Sequence, residues 1–273
     1  MSSNSRPFPV KSDSLGNTIP IQIGELPGIV AENLGLATWG AAVVLADVLH
    51  RWTPEIKKTI TNDPELQTQA LSNTIAILEL GAGTGLAGLT ASALWSLPAV
   101  LTDLEPVIPG IQHNITLNPS LPCHAGALDW TSPSTLNLSS PSSSSPTTVS
   151  SSQTKASLIL AADTCYTSSH PLLITSTVSH WLAPSPHSRA IFCYPLRTSY
   201  IEHARNLWSE MQAAGFVCIE EGREEARELW GEIGPIPYEW STWGWREFHQ
   251  DAVRREEEER SAIEEGGGGW LAM

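Results

Sequence analysis

From residue 75 onward the chain sets short apolar runs against longer segments of helical character. The runs are Ile75–Leu80, Ala99–Thr102, Ser157–Ala162, Arg189–Tyr194 and Phe216–Glu220, and each predicts a strand. Between most of them lie Gly85–Ser96, Val107–Leu117, Pro171–Leu182 and Ser199–Ala214, which predict helices. Strands alternating with helices imply βαβ units, hence an α/β fold with a doubly wound, mainly parallel sheet. Ahead of them, Leu36–Trp52 is rich in Ala, Leu and Val and reads as a buried helix, and the aromatic run Tyr238–Phe248 predicts an edge or antiparallel strand. There is no internal repeat.

Two segments break the pattern. Residues 131–155 are almost entirely Ser, Thr and Pro, with too few apolar groups to offset the entropy of ordering, and read as a disordered insertion in one loop. The tail from Asp251 to Met273 starts charged and helical and frays at Gly266–Gly269. The predicted organisation is an N-terminal extension over 1–35, with 1–20 a flexible or extended lead-in, one domain over 36–250 carrying the insertion, and the tail over 251–273.

Composition narrows the function classes. At 273 residues and 41 % hydrophobic content the chain can bury a proper core. Its formal net charge of -14 argues against a nucleic-acid or membrane-surface binder and suits a basic partner, although part of the acidity is the run Glu256–Glu259. The cysteines Cys123, Cys165, Cys193 and Cys218 are scattered without metal-ligand spacing, so no metal site is expected. No leader pattern opens the chain and no apolar run is long enough to span a bilayer, which together with scattered thiols predicts a cytoplasmic protein.

The chemistry begins where the first of these strands ends. Glu79-Leu80-Gly81-Ala82-Gly83-Thr84-Gly85 runs from a strand into a helix. Glycines there permit positive φ and close approach of the backbone to a ligand, and the helix offers its first amides to an anion. Glu79 is placed to attract an amino or sulfonium group. The register ELGxGxG favours S-adenosylmethionine, whose carboxylate would meet those amides. The same stretch, Gly83-Thr-Gly85-Leu-Ala-Gly88, is also a literal GxGxxG with Asp103 downstream, as a dinucleotide site requires. Asp103, ending a strand, can take both ribose hydroxyls of either cofactor, or cap the following helix.

Three further motifs bear on the choice. Thr38-Trp39-Gly40-Ala41-Ala42-Val43-Val44-Leu45-Ala46, Leu128-Asp129-Trp130 and Ala162-Asp163-Thr164-Cys165-Tyr166 follow one another in order with the glycine loop. Together they resemble the W-x-A-A-x-x-L-A, D-W and D-x-x-Y segments of methyltransferase family 16, the seven-stranded protein-lysine methyltransferases, over residues 36 to 250. Ser168-Ser-His170-Pro171 and Tyr194-Pro195-Leu196-Arg197 further resemble the fungal branch that methylates elongation factor 2. Gly40 stands where relatives often carry Asp, and Thr-Cys fills a place where apolar residues are common.

The resemblance implies S-adenosylmethionine as cofactor, held by Trp39, Glu79, Gly81, Gly83, Gly85, Asp103, Asp129, Trp130 and Ala162. It implies Asp163 and Tyr166 as the rim that receives a protein lysine. Each residue has a plainer role beside the functional one. Trp39 can be a core aromatic, Asp129-Trp130 a turn, His170-Pro171 a helix start, and Arg197 a surface or carboxylate-pairing arginine outside the site. Three rivals remain: a small-molecule methyltransferase with the same cofactor residues, a nicotinamide oxidoreductase, for which no Tyr-x-x-x-Lys pair is found, and a non-catalytic module keeping the fold.

Overall fold

The computed structural model describes residues 5–24, 38–62, 74–139, 146–198, 200–225 and 236–266. In chain order the strands are β1 (Ser5–Lys11), β2 (Thr18–Gly24), β3 (Thr74–Leu80), β4 (Ala99–Asp103), β5 (Cys123–Ala127), β6 (Thr135–Leu138), β7 (Thr147–Ser150), β8 (Lys155–Ala162), β9 (Arg189–Pro195), β10 (Phe216–Glu225) and β11 (Pro237–Trp245). The α-helices are α1 (Gly40–Val48), α2 (Thr53–Asn62), α3 (Leu86–Trp95), α4 (Ile108–Leu117), α5 (His170–Trp181), α6 (Ile201–Ala213) and α7 (Gln250–Gly266).

The main sheet runs β10-β11-β9-β8-β3-β4-β5-β6-β7. Its five central strands are parallel. The chain lays down β3, β4 and β5 toward one side, then β8 and β9 toward the other, so the order reverses between β3 and β8. Successive strand residues alternate between two cores. Ile77, Leu101, Leu158, Leu160 and Ile191 pack with α1, α3 and α4. Leu78, Leu80, Val100, Ile159, Ala161 and Phe192 pack with α5 and α6. This is the doubly wound α/β arrangement, in which ligands sit at the carboxyl ends of the strands beside the reversal.

The sheet differs from expectation at both ends. The aromatic segment does form an antiparallel strand, but β11 lies inside the sheet, and β10 takes the edge. Composition explains the placement: Tyr238, Trp240 and Trp243 are buried, while β10 carries Glu220, Glu221, Arg223, Glu224 and Glu225, charges that suit an edge. At the far end, the described parts of 131–155, residues 131–139 and 146–155, are ordered and not a disordered insertion. β6 pairs antiparallel with β5 and β7 with β6, making a hairpin that widens the seven-stranded sheet to nine; residues 140–145 lie outside the described residues. A strand added to an open edge satisfies its main chain there, so it needs few apolar side chains. Leu136 supplies one, fully buried against Gly126, and the Trp181 indole N–H donates to the Pro133 carbonyl at 2.7 Å.

The described part of 1–20 takes the extended of its two expected forms. β1 and β2 form a separate antiparallel hairpin whose Phe8, Val10, Ile21 and Ile23 are buried. Its turn is held by Asp13 Oδ1, which accepts the Leu15 and Asn17 amides at 2.9 and 3.1 Å. Asn118, just past α4, exchanges hydrogen bonds with the Gln22 main chain, and Asn114 Oδ1 on α4 accepts from the Gly24 amide at 2.8 Å. The helix expected over 36–52 is α1 followed by a 3₁₀ turn over Leu49–Trp52; residues 36 and 37 lie outside the described residues, as do 267–273 of the tail. Gly40 has a steric reason: a Cβ there would stand 2.1 Å from the Tyr238 hydroxyl. Among the described residues no helix is long and apolar enough to cross a membrane.

Candidate active site

The glycine turn joins β3 to α3 and is left-handed at all three expected positions, with φ of +61° at Gly81, +55° at Gly83 and +81° at Gly85. A side chain would strain each of them. The turn is tied to its neighbour: the Ala82 amide donates to the Thr102 carbonyl at 2.9 Å, and the Gly83 amide donates to Asp103 Oδ2, also at 2.9 Å. Asp103 therefore ends β4 facing the turn, and its other oxygen takes the Leu104 amide at 2.8 Å. Burial pushes its carboxyl above the usual aspartate value.

Two chain segments close on the turn from outside. Ahead of α1, the Thr38 and Thr84 hydroxyls lie 3.0 Å apart. After β5, the Trp130 indole packs over Gly81: a Cβ at Gly81 would come within 3.1 Å of Trp130 Cζ2 and of the Thr164 methyl. Trp130 in turn meets the His170 ring edge-on at 5.5 Å, and His170 meets Tyr166 edge-on at 4.3 Å. A hydrogen bond of 2.7 Å joins His170 Nδ1 to the Thr164 carbonyl. One aromatic chain thus leads from the glycine turn to the D-x-x-Y segment. Burial lowers the His170 pKa and raises that of Tyr166, the latter aided by the charges of Asp103 and Asp163. The imidazole is therefore held toward its neutral form.

Asp163 follows Ala162, the last residue of β8, beside the sheet's reversal. Its φ is +54°, a conformation short polar side chains tolerate better than others but still at a cost, and its amide donates to the Cys193 carbonyl at 2.9 Å. Its carboxylate has a cation beside it. Arg197 Nη1 stands 3.9 Å from Asp163 Oδ2, and the same guanidinium lies 5.9 Å from the centre of the Trp39 ring. Trp39, the residue before α1, is half-exposed, and Trp39 and Asp163 both flank the Arg197 guanidinium.

Two predicted residues face elsewhere. Glu79 is buried beneath the turn, where its Oε2 accepts the Gly88 amide at 3.1 Å; it braces α3 instead of lining the open side. Burial pushes its carboxyl up to about 8, so it carries little charge with which to attract a cation at neutral pH. Asp129 is exposed and turns its Oδ1 to the Thr131 amide and hydroxyl at 2.8 and 2.7 Å, closing the turn that carries Trp130. The Thr131 hydroxyl, then its amide, lowers the Asp129 carboxyl pKa. Conversely, Arg197 was expected outside the site and stands in it. Its position directly past a strand that neighbours β8 was the available signal. Thr38 and Asn114, whose Nδ2 donates to the Thr84 carbonyl at 2.9 Å, had no such signal.

A turn of three left-handed glycines, an acid ending the next strand and an aspartate beside the reversal is a layout many α/β enzymes share, and a family match decides among them. The chain matches the family described as lysine methyltransferase over residues 28–206. It belongs to that family. Among curated relatives, the chain is 29 % identical over 238 residues to the protein-lysine N-methyltransferase rrg1 of Schizosaccharomyces pombe, covering 84 % of this chain and 68 % of that one. It is 26 % identical over 228 residues to the protein-lysine N-methyltransferase EFM2 of Saccharomyces cerevisiae, covering 81 % of this chain and 50 % of that one, so it spans about half of EFM2. A solved S-adenosylmethionine-dependent methyltransferase from Agrobacterium tumefaciens shares the fold of this lysine methyltransferase, with a TM-score of 0.50, 14 % identity and coverage of 89 % and 70 %. Family membership carries methyl transfer to lysine, and sets aside the nicotinamide reading of GxGxxG.

Proposed function

We propose that this lysine methyltransferase modifies a protein lysine at the carboxyl edge of β3, β4 and β8, with elongation factor 2 as the acceptor and the cytoplasm as its setting. The observation that carries the reading is Asp163, left-handed and beside the reversal, within one aromatic chain of the glycine turn. The cofactor assignment fits the donor set. The amides of the turn and of α3 would take the methionyl carboxylate, and Asp103, held by two amides, keeps lone pairs for the ribose hydroxyls. The Trp130 face would border the adenine, with Trp39 and Ala162 at the margin. Glu79 and Asp129 act at one remove, bracing α3 and shaping the Trp130 turn. The acceptor identity is supported by the His-Pro after D-x-x-Y and the Pro-Leu-Arg after β9, and the setting by thiols that are free among the described cysteines.

Bound S-adenosylmethionine supplies an electrophilic methyl group on a sulfonium. The chain's residues have little proton chemistry to perform at the barrier; they position the amine and exclude water. Asp163 and Tyr166 hold the lysine nitrogen through hydrogen bonds and aim its lone pair toward the cofactor turn. Trp130 and His170 wall off the approach from the α5 side.

The test is incubation with radiolabelled S-adenosylmethionine and either recombinant unmethylated elongation factor 2 or fungal lysate. Label should enter protein lysine, and Asp163→Asn should lower transfer by about 100-fold or more while calorimetry finds cofactor affinity little changed. Label appearing only in metabolites would give the small-molecule reading, and unaltered turnover in the variant would remove Asp163 from the site.

A further inference from the structure

Arg197 stands two residues beyond β9, and β9 runs parallel to β8, so Arg197 and Asp163 leave the sheet at adjacent carboxyl ends. Their side chains are 23 % and 14 % exposed, with Nη1 and Oδ2 3.9 Å apart. At that degree of burial solvent screens the pair less than it screens a surface pair. The Arg197 guanidinium also lies over the Trp39 ring, 5.9 Å from its centre. Nothing in methyl transfer by itself requires this cation, yet it touches the residue read as the lysine acceptor rim.

The requirement comes from the lysine. An ammonium has no lone pair, and a carboxylate beside it favours the ammonium. We propose that Arg197 is a positioning residue for the acceptor: it offsets the charge of Asp163 and orients its carboxylate, so that the lysine is received as a neutral amine. The inference rests on the reading of Asp163 and Tyr166 as the acceptor rim. The other groups facing the place leave Arg197 this role. Tyr166 keeps its phenolic proton, since burial raises its pKa. His170, on α5, is driven toward neutrality by burial and by His203 on α6. Asp103, on the β4 side, is engaged by two amides. In the reaction the ammonium first gives its proton to solvent. The amine lone pair then forms the N–C bond as the S–C bond breaks, and the sulfur keeps that electron pair as a neutral thioether.

The experiment is the pH profile of kcat, which reports the lysine in the bound complex, with elongation factor 2 or total fungal lysate protein at saturating concentration, from pH 6.5 to 10. Activity rises with pH as the lysine deprotonates. Arg197→Gln should move that rise upward by about one unit, giving about a tenfold loss at pH 7 that is largely recovered near pH 10. Arg197→Lys, which keeps the charge, should stay near the wild-type profile, and calorimetry with S-adenosylmethionine checks that both variants are folded. A loss in Arg197→Gln of the same factor at every pH, or an Arg197→Lys profile displaced as far as that of Arg197→Gln, would overturn the proposal and leave the lysine reading standing. Wild type that labels no protein lysine at any pH would instead overturn the reading and the proposal with it.

Discussion

The Trp130 indole lies against Gly81 so closely that one added methyl at Gly81 would stand 3.1 Å from its ring. Gly81 is also left-handed. Gly81→Ala therefore meets strain and contact together, and either response displaces the turn or the indole. Calorimetry should find S-adenosylmethionine bound about tenfold or more weakly, equivalent to about 1.4 kcal/mol. An unchanged affinity would mean that the turn does not hold the cofactor.

Asp163 separates charge from backbone strain. Asn tolerates the left-handed region nearly as well as Asp, whereas Ala pays about 1 kcal/mol there. Both Asp163→Asn and Asp163→Ala should lose transfer, but thermal or urea unfolding should place the Ala variant about 1 kcal/mol below the Asn variant. Equal stabilities would show that the local conformation relaxes at no cost.

Glu79 makes stability depend on pH. Its folded pKa, about 8, stands above the ordinary 4.5, so between these values the folded state binds the extra proton and stability falls as pH rises. Glu79→Gln keeps an acceptor for the Gly88 amide without the ionisation. Urea unfolding at pH 5 and pH 8 should find the variant's loss across that window smaller than the wild type's. The difference is bounded at about 1.4 kcal/mol per pH unit, and parallel behaviour would contradict it.

Leu136 tests whether the β6–β7 hairpin is a structural part of the sheet. Its side chain is fully buried between Gly126 and the core under α5. Leu136→Ala should cost about 2–4 kcal/mol in denaturant unfolding. A change near zero is what a disordered insertion would give.

The central strands and helices could be read from the chain because short apolar runs alternate with longer helical segments, most of them closed by glycine, proline or polar residues. The reading failed where main-chain pairing or burial below a surface decides. β6 and β7 form on an open edge with two leucines and one valine between them, so an apolar count misses them. β5, Cys-His-Ala-Gly-Ala, carries no β-branched residue and left no strand signal beyond the Asp129-Trp130 that follows it. Within the site, Gly81, Gly83, Gly85 and Asp103 stand where the pattern put them, because a strand–turn–helix has little freedom. Glu79 and Asp129 do not face the opening. The direction of a carboxylate depends on which amide competes for it, Gly88 for one and Thr131 for the other, and spacing along the chain is blind to that.

Asn114 holds the Gly24 amide with one atom of its side chain and the Thr84 carbonyl with the other. A single amide group thus links the N-terminal hairpin to the glycine turn. The β1–β2 hairpin, Ser5 to Gly24, serves as a strut against that turn, so the support of the turn reaches back to the described start of the chain.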